Sequence, residues 1–153
     1  MSGRATQPIM IIDDSDDDFE AMERALKRDG KLRNPIMHFD NGAEALDYLF
    51  HRAPYDGIDS APRPGLVLLD LNMPGIDGRT VLTAMKGDEA TRCIPVVVLT
   101  TSDADMDIAQ CYRAGANTYI KKPVALDSLF AALQSLKDYW LDVALLPCGG
   151  RGN

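Results

Sequence analysis

The sequence predicts an α/β domain built on a five-stranded parallel sheet with helices on both faces. Two observations predict it. Five short apolar runs alternate with five amphipathic segments along the chain, and the runs are continuously apolar, as strands buried on both faces are. Strict alternation of this kind means repeated βαβ units with right-handed crossovers.

The elements follow in order. "IMII" at 9–12 reads as the first strand, being brief and bounded by Pro and Asp. Phe19, Met22 and Leu26 then share one helical face, and Gly30 is a stop signal. "IMHF" at 36–39 is the second strand, followed by "GAEALDYLF" with Ala45, Leu46 and Leu49 on one face. The stretch "HRAPYDGIDSAPRPG", 51–65, has no helical or strand period and reads as a surface excursion, by default an inert connection. "LVLL" at 66–69 and "GRTVLTAMK" make the third pair, "VVVL" at 96–99 and "ADMDIAQCYRAG" the fourth. "TYI" at 118–120 is the last strand, and a long helix is predicted from about Ala125 to Leu146.

The 153 residues suit one domain. A flexible N-terminus is expected over 1–7, the folded domain over 8–146 and a flexible tail over 147–153. A formal charge of −7 disfavours attraction to phosphate backbones or anionic membranes, so nucleic acid and membrane partners are not expected. The three cysteines, Cys93, Cys111 and Cys148, are odd in number and far apart, which predicts reduced, inert thiols and a cytoplasmic location. No apolar run reaches the ~18 residues of a membrane span, and "MSGRATQP" lacks the apolar core of a signal peptide.

In open parallel sheets, ligands collect at the carboxyl ends of the strands. Asp13 and Asp14 fall there after the first strand and Asp70 after the third. Thr100, Thr101 and Ser102 follow the fourth, and Lys121, Lys122 and Pro123 the fifth. Packed carboxylates would repel by several kcal/mol per close pair at an effective dielectric of about 20, so a cation is required. Mg²⁺ fits, as a hard ion that takes carboxylates, a carbonyl and waters. A Ca²⁺ loop opening at "DSDDDF" fails, because Phe19 stands where Gly is needed and Ala25 where Glu is needed. A carboxylate beside Mg²⁺, faced by a Lys and a Thr, is arranged to accept a phosphoryl group and become an acyl phosphate.

Together the acid pair after strand one, "LLDLNMPGIDG", "VVVLTTS" and "TYIKKP" resemble the receiver domain of two-component response regulators, over roughly residues 8–140. The resemblance implies a doubly wound, flavodoxin-like receiver fold with strand order 2-1-3-4-5. It further implies that Asp70 is the phosphoacceptor and that Asp14 binds Mg²⁺ directly. Asp13 would act directly or through water, and the Asn72 backbone carbonyl would complete the protein ligands. Lys122 would contact the phosphoryl group, Thr100 would swing its hydroxyl onto it, and Tyr119 would be the aromatic switch. The Lys122–Pro123 peptide is expected cis.

The implied function is that of a stand-alone response regulator, phosphorylated by a sensor histidine kinase and signalling through a downstream protein or phosphotransfer partner. It would not be an enzyme beyond self-phosphorylation from small donors and autodephosphorylation. The long loop before strand three, "LTTS" and the ending "SLKDYWLDVALLP" look like the single-domain regulators that accompany phytochrome-type kinases. The alternatives are a Mg²⁺-dependent aspartyl-nucleophile phosphohydrolase and an unphosphorylated receiver-like scaffold. Asp14, Asp16 and Asp18 give D-x-D-x-D where the hydrolase needs D-x-D-x-T/V. A flavodoxin-like flavin binder would need a Gly- and hydroxyl-rich loop where this chain has acids.

The remaining polar residues have structural readings. Asp16, Asp17 and Asp18 suit the positive end of a helix, with a contact to the kinase as the lesser reading. Thr101, Ser102 and Asp103 are candidates to cap the fourth helix, and Asp77 to start the third, with Gly78 lending backbone freedom. Lys121 is expected to be exposed, and His38 and His51 lack metal-ligand spacing. On the last helix, Leu126, Leu129, Phe130, Leu133 and Leu136 form a core stripe that Trp140, Val143 and Ala144 prolong. A helix over 125–146 would reach roughly 33 Å, beyond a strand of about 17–20 Å. Its apolar overhang predicts a homodimer through the C-terminal helix region.

Overall fold

The computed structural model describes residues 7–57, 61–122 and 125–139, the Leu126 side chain excepted. The elements are β1 (Ile9–Ile12), α1 (Asp16–Lys27), β2 (Ile36–Phe39), α2 (Gly42–Leu49) and β3 (Leu66–Leu69). After them come α3 (Gly78–Lys86), β4 (Val96–Thr100), α4 (Asp105–Ala114), β5 (Thr118–Lys121) and α5 (Leu126–Lys137). The strands form one parallel sheet in the order β2-β1-β3-β4-β5. Ile12 lies opposite both Phe39 and Leu69, and Thr100 opposite Lys121, so the carboxyl ends come together along one edge.

Each central strand divides its side chains between two cores, because successive residues point to opposite faces. Met10, Ile12, Val67, Leu69, Val96 and Val98 pack with Ala45, Leu49, Val81 and Met85 of α2 and α3. Ile9, Ile11, Leu66, Leu68, Val97 and Leu99 pack with Met22 and Leu26 of α1 and with Leu129 and Leu133 of α5. Each fully buried aliphatic side chain contributes about 1.5–3 kcal/mol, so these strands hold the edge of the sheet rigid. β2 and β5, at the margins, are half-buried, which is why they tolerate His38 and Lys121.

Three helices start on side-chain caps. Ser15 accepts from the Asp18 amide, Asn41 from that of Glu44 and Asp77 from that of Thr80. Helix α1 ends at Lys27, three residues before Gly30, which takes φ +70° and donates to the Lys27 carbonyl. Gly115, at φ +110°, ends α4. α4 has Ala104 at its N-cap, with no side-chain cap hydrogen bond. Ser102 and Asp103 therefore do not occupy the N-cap; the Ser102 hydroxyl accepts the amide of Ala104 itself at 3.3 Å, and Asp103 pairs with Lys121.

The 51–65 segment runs over the surface as expected, with Arg52, Ala53, Pro54, Asp56, Gly57 and Pro62 exposed, but its described residues are also held to the domain. Ala61 is wholly buried. The Tyr48 hydroxyl donates to the Pro62 carbonyl at 2.6 Å, His51 Nε2 lies 2.9 Å from the Ala61 carbonyl oxygen, and Arg63 Nε donates to the Leu49 carbonyl at 3.2 Å. Tyr55 packs edge-on against Phe39 and Tyr48. Burial pushes the Tyr48 phenol up to about 12. The segment lacks period because it is held by aromatic packing and side-chain bonds to backbone, neither of which repeats along a sequence. At its end, Gly65 donates to the Pro8 carbonyl, and Gln7 accepts from Asn34 Nδ2.

Cys111 is free and buried, with its thiol pushed up by that burial, whereas Cys93 is disulfide-bonded. The expectation of three reduced thiols is thus corrected at Cys93, and Cys148 lies outside the described residues. The expected cis Lys122–Pro123 bond, the helical overhang from Trp140 onward, the dimer contact drawn from it and the 147–153 tail lie outside the described residues.

Gly78 is needed for close approach rather than for backbone freedom. A Cβ there would fall on the Asp70 carbonyl oxygen and lie 2.7 Å from the Leu71 Cα, both backbone positions that cannot swing aside. Gly78→Ala should therefore destabilise the domain by at least about 2 kcal/mol, as overpacking against an immovable neighbour does. Denaturant unfolding of the two proteins measures it.

Candidate functional site

The carboxyl edge of the sheet gathers five of the residues singled out above. Asp13 and Asp14 follow β1, Asp70 follows β3, Thr100 ends β4 and Lys122 follows β5. Asp13 and Asp70 are buried and Asp14 is exposed; one carboxylate oxygen from each lies within 4.8 Å of the others. Among the described residues this is the one acidic cluster able to hold a metal ion.

Backbone bonds fix the acids. Asp13 N donates to the Phe39 carbonyl and Asp70 N to the Ile12 carbonyl, extending the sheet ladder one residue past each strand. Asp13 Oδ1 accepts the Ser15 amide at 2.9 Å. His38 Nε2 lies 2.8 Å from the Asp13 carbonyl oxygen, and its ring stacks on Phe19 with centroids 4.0 Å apart. His38 is therefore part of the wall that seats Asp13, a role that its isolation in the sequence did not reveal.

Lys122 supplies the local counter-charge. Its Nζ lies 2.7 Å from Asp13 Oδ2, 2.7 Å from Asp18 Oδ2 and 3.5 Å from Asp70 Oδ2. Burial alone would lower the ammonium pKa, but the bonds to Asp13 and Asp18 and the charge of Asp70 outweigh it and hold it above the ordinary lysine value. Burial pushes the Asp13 carboxyl up, against the pull of Lys122 and the Ser15 amide, with the Asp70 charge adding to the rise. Asp18 belongs to this site. Sequence reasoning placed it at the helix start chiefly for the macrodipole, because an acid in a first turn satisfies that rule whether or not it also meets a cation.

Asn72 and Thr100 flank Asp70. The Asn72 amide approaches Asp70 Oδ1 at 3.4 Å, and Asn72 Nδ2 lies 3.5 Å from Thr100 Oγ1. Thr100 is wholly buried, and its carbonyl accepts the Lys122 amide at 2.6 Å, tying the hydroxyl-bearing strand to the lysine.

Beyond Thr100 the loop leads to a second polar group. Ser102 Oγ donates to Asp107 Oδ2 at 2.6 Å, and Arg79 donates to Asp107 Oδ1 at 2.6 Å, joining the β4–α4 loop to α3 through α4. The Tyr119 hydroxyl donates to the Ser102 carbonyl at 2.8 Å, with its ring half-buried against the α3–α4 core. Lys121 is exposed, as expected, and pairs with Asp103.

Chemically, three carboxylates, those of Asp13, Asp18 and Asp70, face one ammonium, and Asp14 adds a fourth acid beside Asp13 and Asp70. That donor set fits a hard divalent cation better than a soft one.

A family model for the response regulator receiver domain matches residues 9–134. Response regulator Rcp1 of Synechocystis sp. is 34% identical over 149 residues, which cover 96% of this chain and 99% of that protein. The probable methanogenesis regulatory protein FilR2 of Methanothrix harundinacea is 39% identical over 133 residues, covering 87% of this chain and 83% of its own. Among solved structures, the phosphorylated cyanobacterial phytochrome response regulator RcpA superposes with a TM-score of 0.86 at 36% identity, covering 93% of this chain and 99% of that one. The Mn²⁺-bound form of Rcp1 superposes with a TM-score of 0.83 at 34% identity, covering 92% and 99%. The five-stranded order, the acid cluster at the sheet edge and a match over most of the chain agree: this chain belongs to the response regulator receiver domain family.

Proposed function

We propose that the protein is a phosphorylation switch in which Asp70 takes a phosphoryl group from a phosphohistidine on a sensor histidine kinase. The observation that carries this reading is the convergence of Asp70, Lys122 and Thr100 at the ends of three adjacent strands, beside Asp13 and Asp14. An Asp70 carboxylate oxygen attacks phosphorus, the P–N bond breaks, and its electron pair returns to the imidazole. The product is an acyl phosphate.

Asp13, Asp14, Asp70 and the Asn72 carbonyl are the groups that would hold Mg²⁺. Bound there, the ion supplies positive charge against the phosphoryl oxygens. Lys122 adds a second positive charge, already drawn to within 3.5 Å of the Asp70 carboxylate. Thr100 offers its hydroxyl to the new group. Tyr119 responds to that movement, since its own hydroxyl is anchored two residues along the same loop, on the Ser102 carbonyl.

Similarity to Rcp1 and RcpA over most of the chain supports a phytochrome-type kinase as the donor and the cytoplasm as the place of action. Output would pass through protein contacts made by the face that carries Ser102, Asp107 and Tyr119.

Incubation with acetyl phosphate followed by intact mass measurement tests the chemistry. The wild type should gain one phosphoryl group only with Mg²⁺ present, and Asp70→Asn should gain none. A gain in both proteins, or one indifferent to Mg²⁺, would sink the assignment of Asp70.

The Asp107 junction predicts a pH dependence. The Ser102 hydrogen bond and then the Arg79 guanidinium hold its carboxyl below the ordinary 3.8. A depressed carboxylate contributes stability that is fully present above its unfolded value and is lost as pH falls through its folded one. The stability difference between wild type and Asp107→Asn should therefore be constant from neutral pH down to about pH 5 and close at lower pH, as measured by urea unfolding across that range.

A further inference from the structure

Lys122 has one more acid partner than phosphoryl transfer to Asp70 requires. Its ammonium sits 2.7 Å from both Asp13 and Asp18 but 3.5 Å from Asp70. Asp13 is buried and has its other oxygen occupied by the Ser15 amide, so it forms a fixed floor. Asp18 differs, with a side chain 47% exposed at the rim, on the first turn of α1. Its backbone amide bonds the Ser15 hydroxyl, so the helix cap makes no use of the carboxylate. The macrodipole does not account for the placement either, because Asp16 and Asp17 serve that role on the same turn. Among the described residues, the carboxylates within reach of the ammonium are those of Asp13, Asp18 and Asp70.

We propose that Asp18 is a positioning residue that competes with a phosphoryl group on Asp70 for the Lys122 ammonium and so sets how tightly the phosphorylated state is held. This rests on the reading of Asp70 as phosphoacceptor. A phosphoryl group on Asp70 adds negative charge and strong acceptor oxygens near the ammonium. To reach them Lys122 must loosen a short charge-assisted bond to Asp18, and that loss is subtracted from the affinity of the site for the group. Removing the Asp18 charge abolishes the competition and leaves the Ser15 cap intact.

Fluoroberyllate, which mimics a phosphoryl group on a carboxylate, provides an equilibrium test on the full chain at saturating Mg²⁺. Asp18→Asn should bind it about three- to tenfold more tightly than wild type, the scale of one partly solvated charge contact. Asp18→Glu, which keeps a carboxylate within reach, should stay near wild type. Asp16→Asn removes the same charge from the same helical turn away from Lys122 and should leave affinity unchanged. The Lys122 ammonium ¹H–¹⁵N resonance should move in Asp18→Asn and stay put in Asp16→Asn.

Unchanged or weaker binding by Asp18→Asn overturns the proposal, the latter marking Asp18 as a support of the cation site. Equal tightening by Asp16→Asn also overturns it, by reducing the effect to a general field. Absence of binding to the wild type would bring down the phosphoacceptor reading and this proposal with it, whereas binding that is lost in Asp70→Asn but indifferent to Asp18 would sink the proposal alone.

Discussion

Mutual repulsion among carboxylates at one edge of a buried sheet is the constraint on which the rest of this structure depends. Oxygens of Asp13, Asp14 and Asp70 lie within 4.8 Å of one another, where each charged pair costs about 3–4 kcal/mol at an effective dielectric of 20. A flexible chain would let them drift apart. They are kept together because Asp13 and Asp70 are the next residues after fully buried strands and continue the hydrogen-bond ladder with Phe39 and Ile12. The two apolar cores therefore do more than stabilise the fold. They oppose a local electrostatic cost that no surface loop could sustain.

That cost is useful because it makes the edge receptive to positive charge. Lys122 partly meets the demand, and its ammonium is held charged by the acids it neutralises. A divalent cation would meet the rest. The same rigidity extends to Gly78, the first residue of α3, which passes so close to the Asp70 carbonyl that no side chain fits between them. The helix that follows β3 is thus seated directly on the Asp70 backbone, and the Gly78 amide donates to the Leu71 carbonyl in the same turn.

What was legible in the sequence were the features dictated by local patterns. The central strands were visible because burial on both faces demands unbroken apolar runs, and "IMII", "LVLL" and "VVVL" occupy the positions those runs marked. Asp70, Thr100 and Lys122 were visible because polar residues at the ends of such runs have no packing reason to be there. Contacts between distant segments left no such trace. Nothing in the composition of 51–65 reveals that Ala61 is buried or that Tyr48 reaches Pro62. Asp18 hid behind a rule that it also satisfies, since an acid in a first helical turn needs no further explanation. Ser102 hid likewise, as a plausible cap whose hydroxyl instead bonds the Asp107 side chain, in the first turn of the helix.

Two residues, Tyr119 on β5 and Lys122 just after it, connect the acid edge to the β4–α4 loop. Lys122 donates its backbone amide to the Thr100 carbonyl while its side chain reaches Asp13, Asp18 and Asp70. Tyr119, three residues earlier, donates to the Ser102 carbonyl, two residues beyond Thr100. The segment 100–102 is therefore gripped from both ends by one strand, and its middle residue, Thr101, is exposed and free of that grip. Ser102 is held a second time through Asp107 and Arg79. A force that drew the Thr100 hydroxyl towards Asp70 would act against the Ser102 anchors, whose hydrogen bonds to Asp107 and Tyr119 lead on to α3, α4 and β5. Packed interiors favour discrete rearrangement over gradual deformation. On this view the strength of the Asp107 junction, as much as the chemistry at Asp70, determines how much of a charge change at the edge reaches the surface.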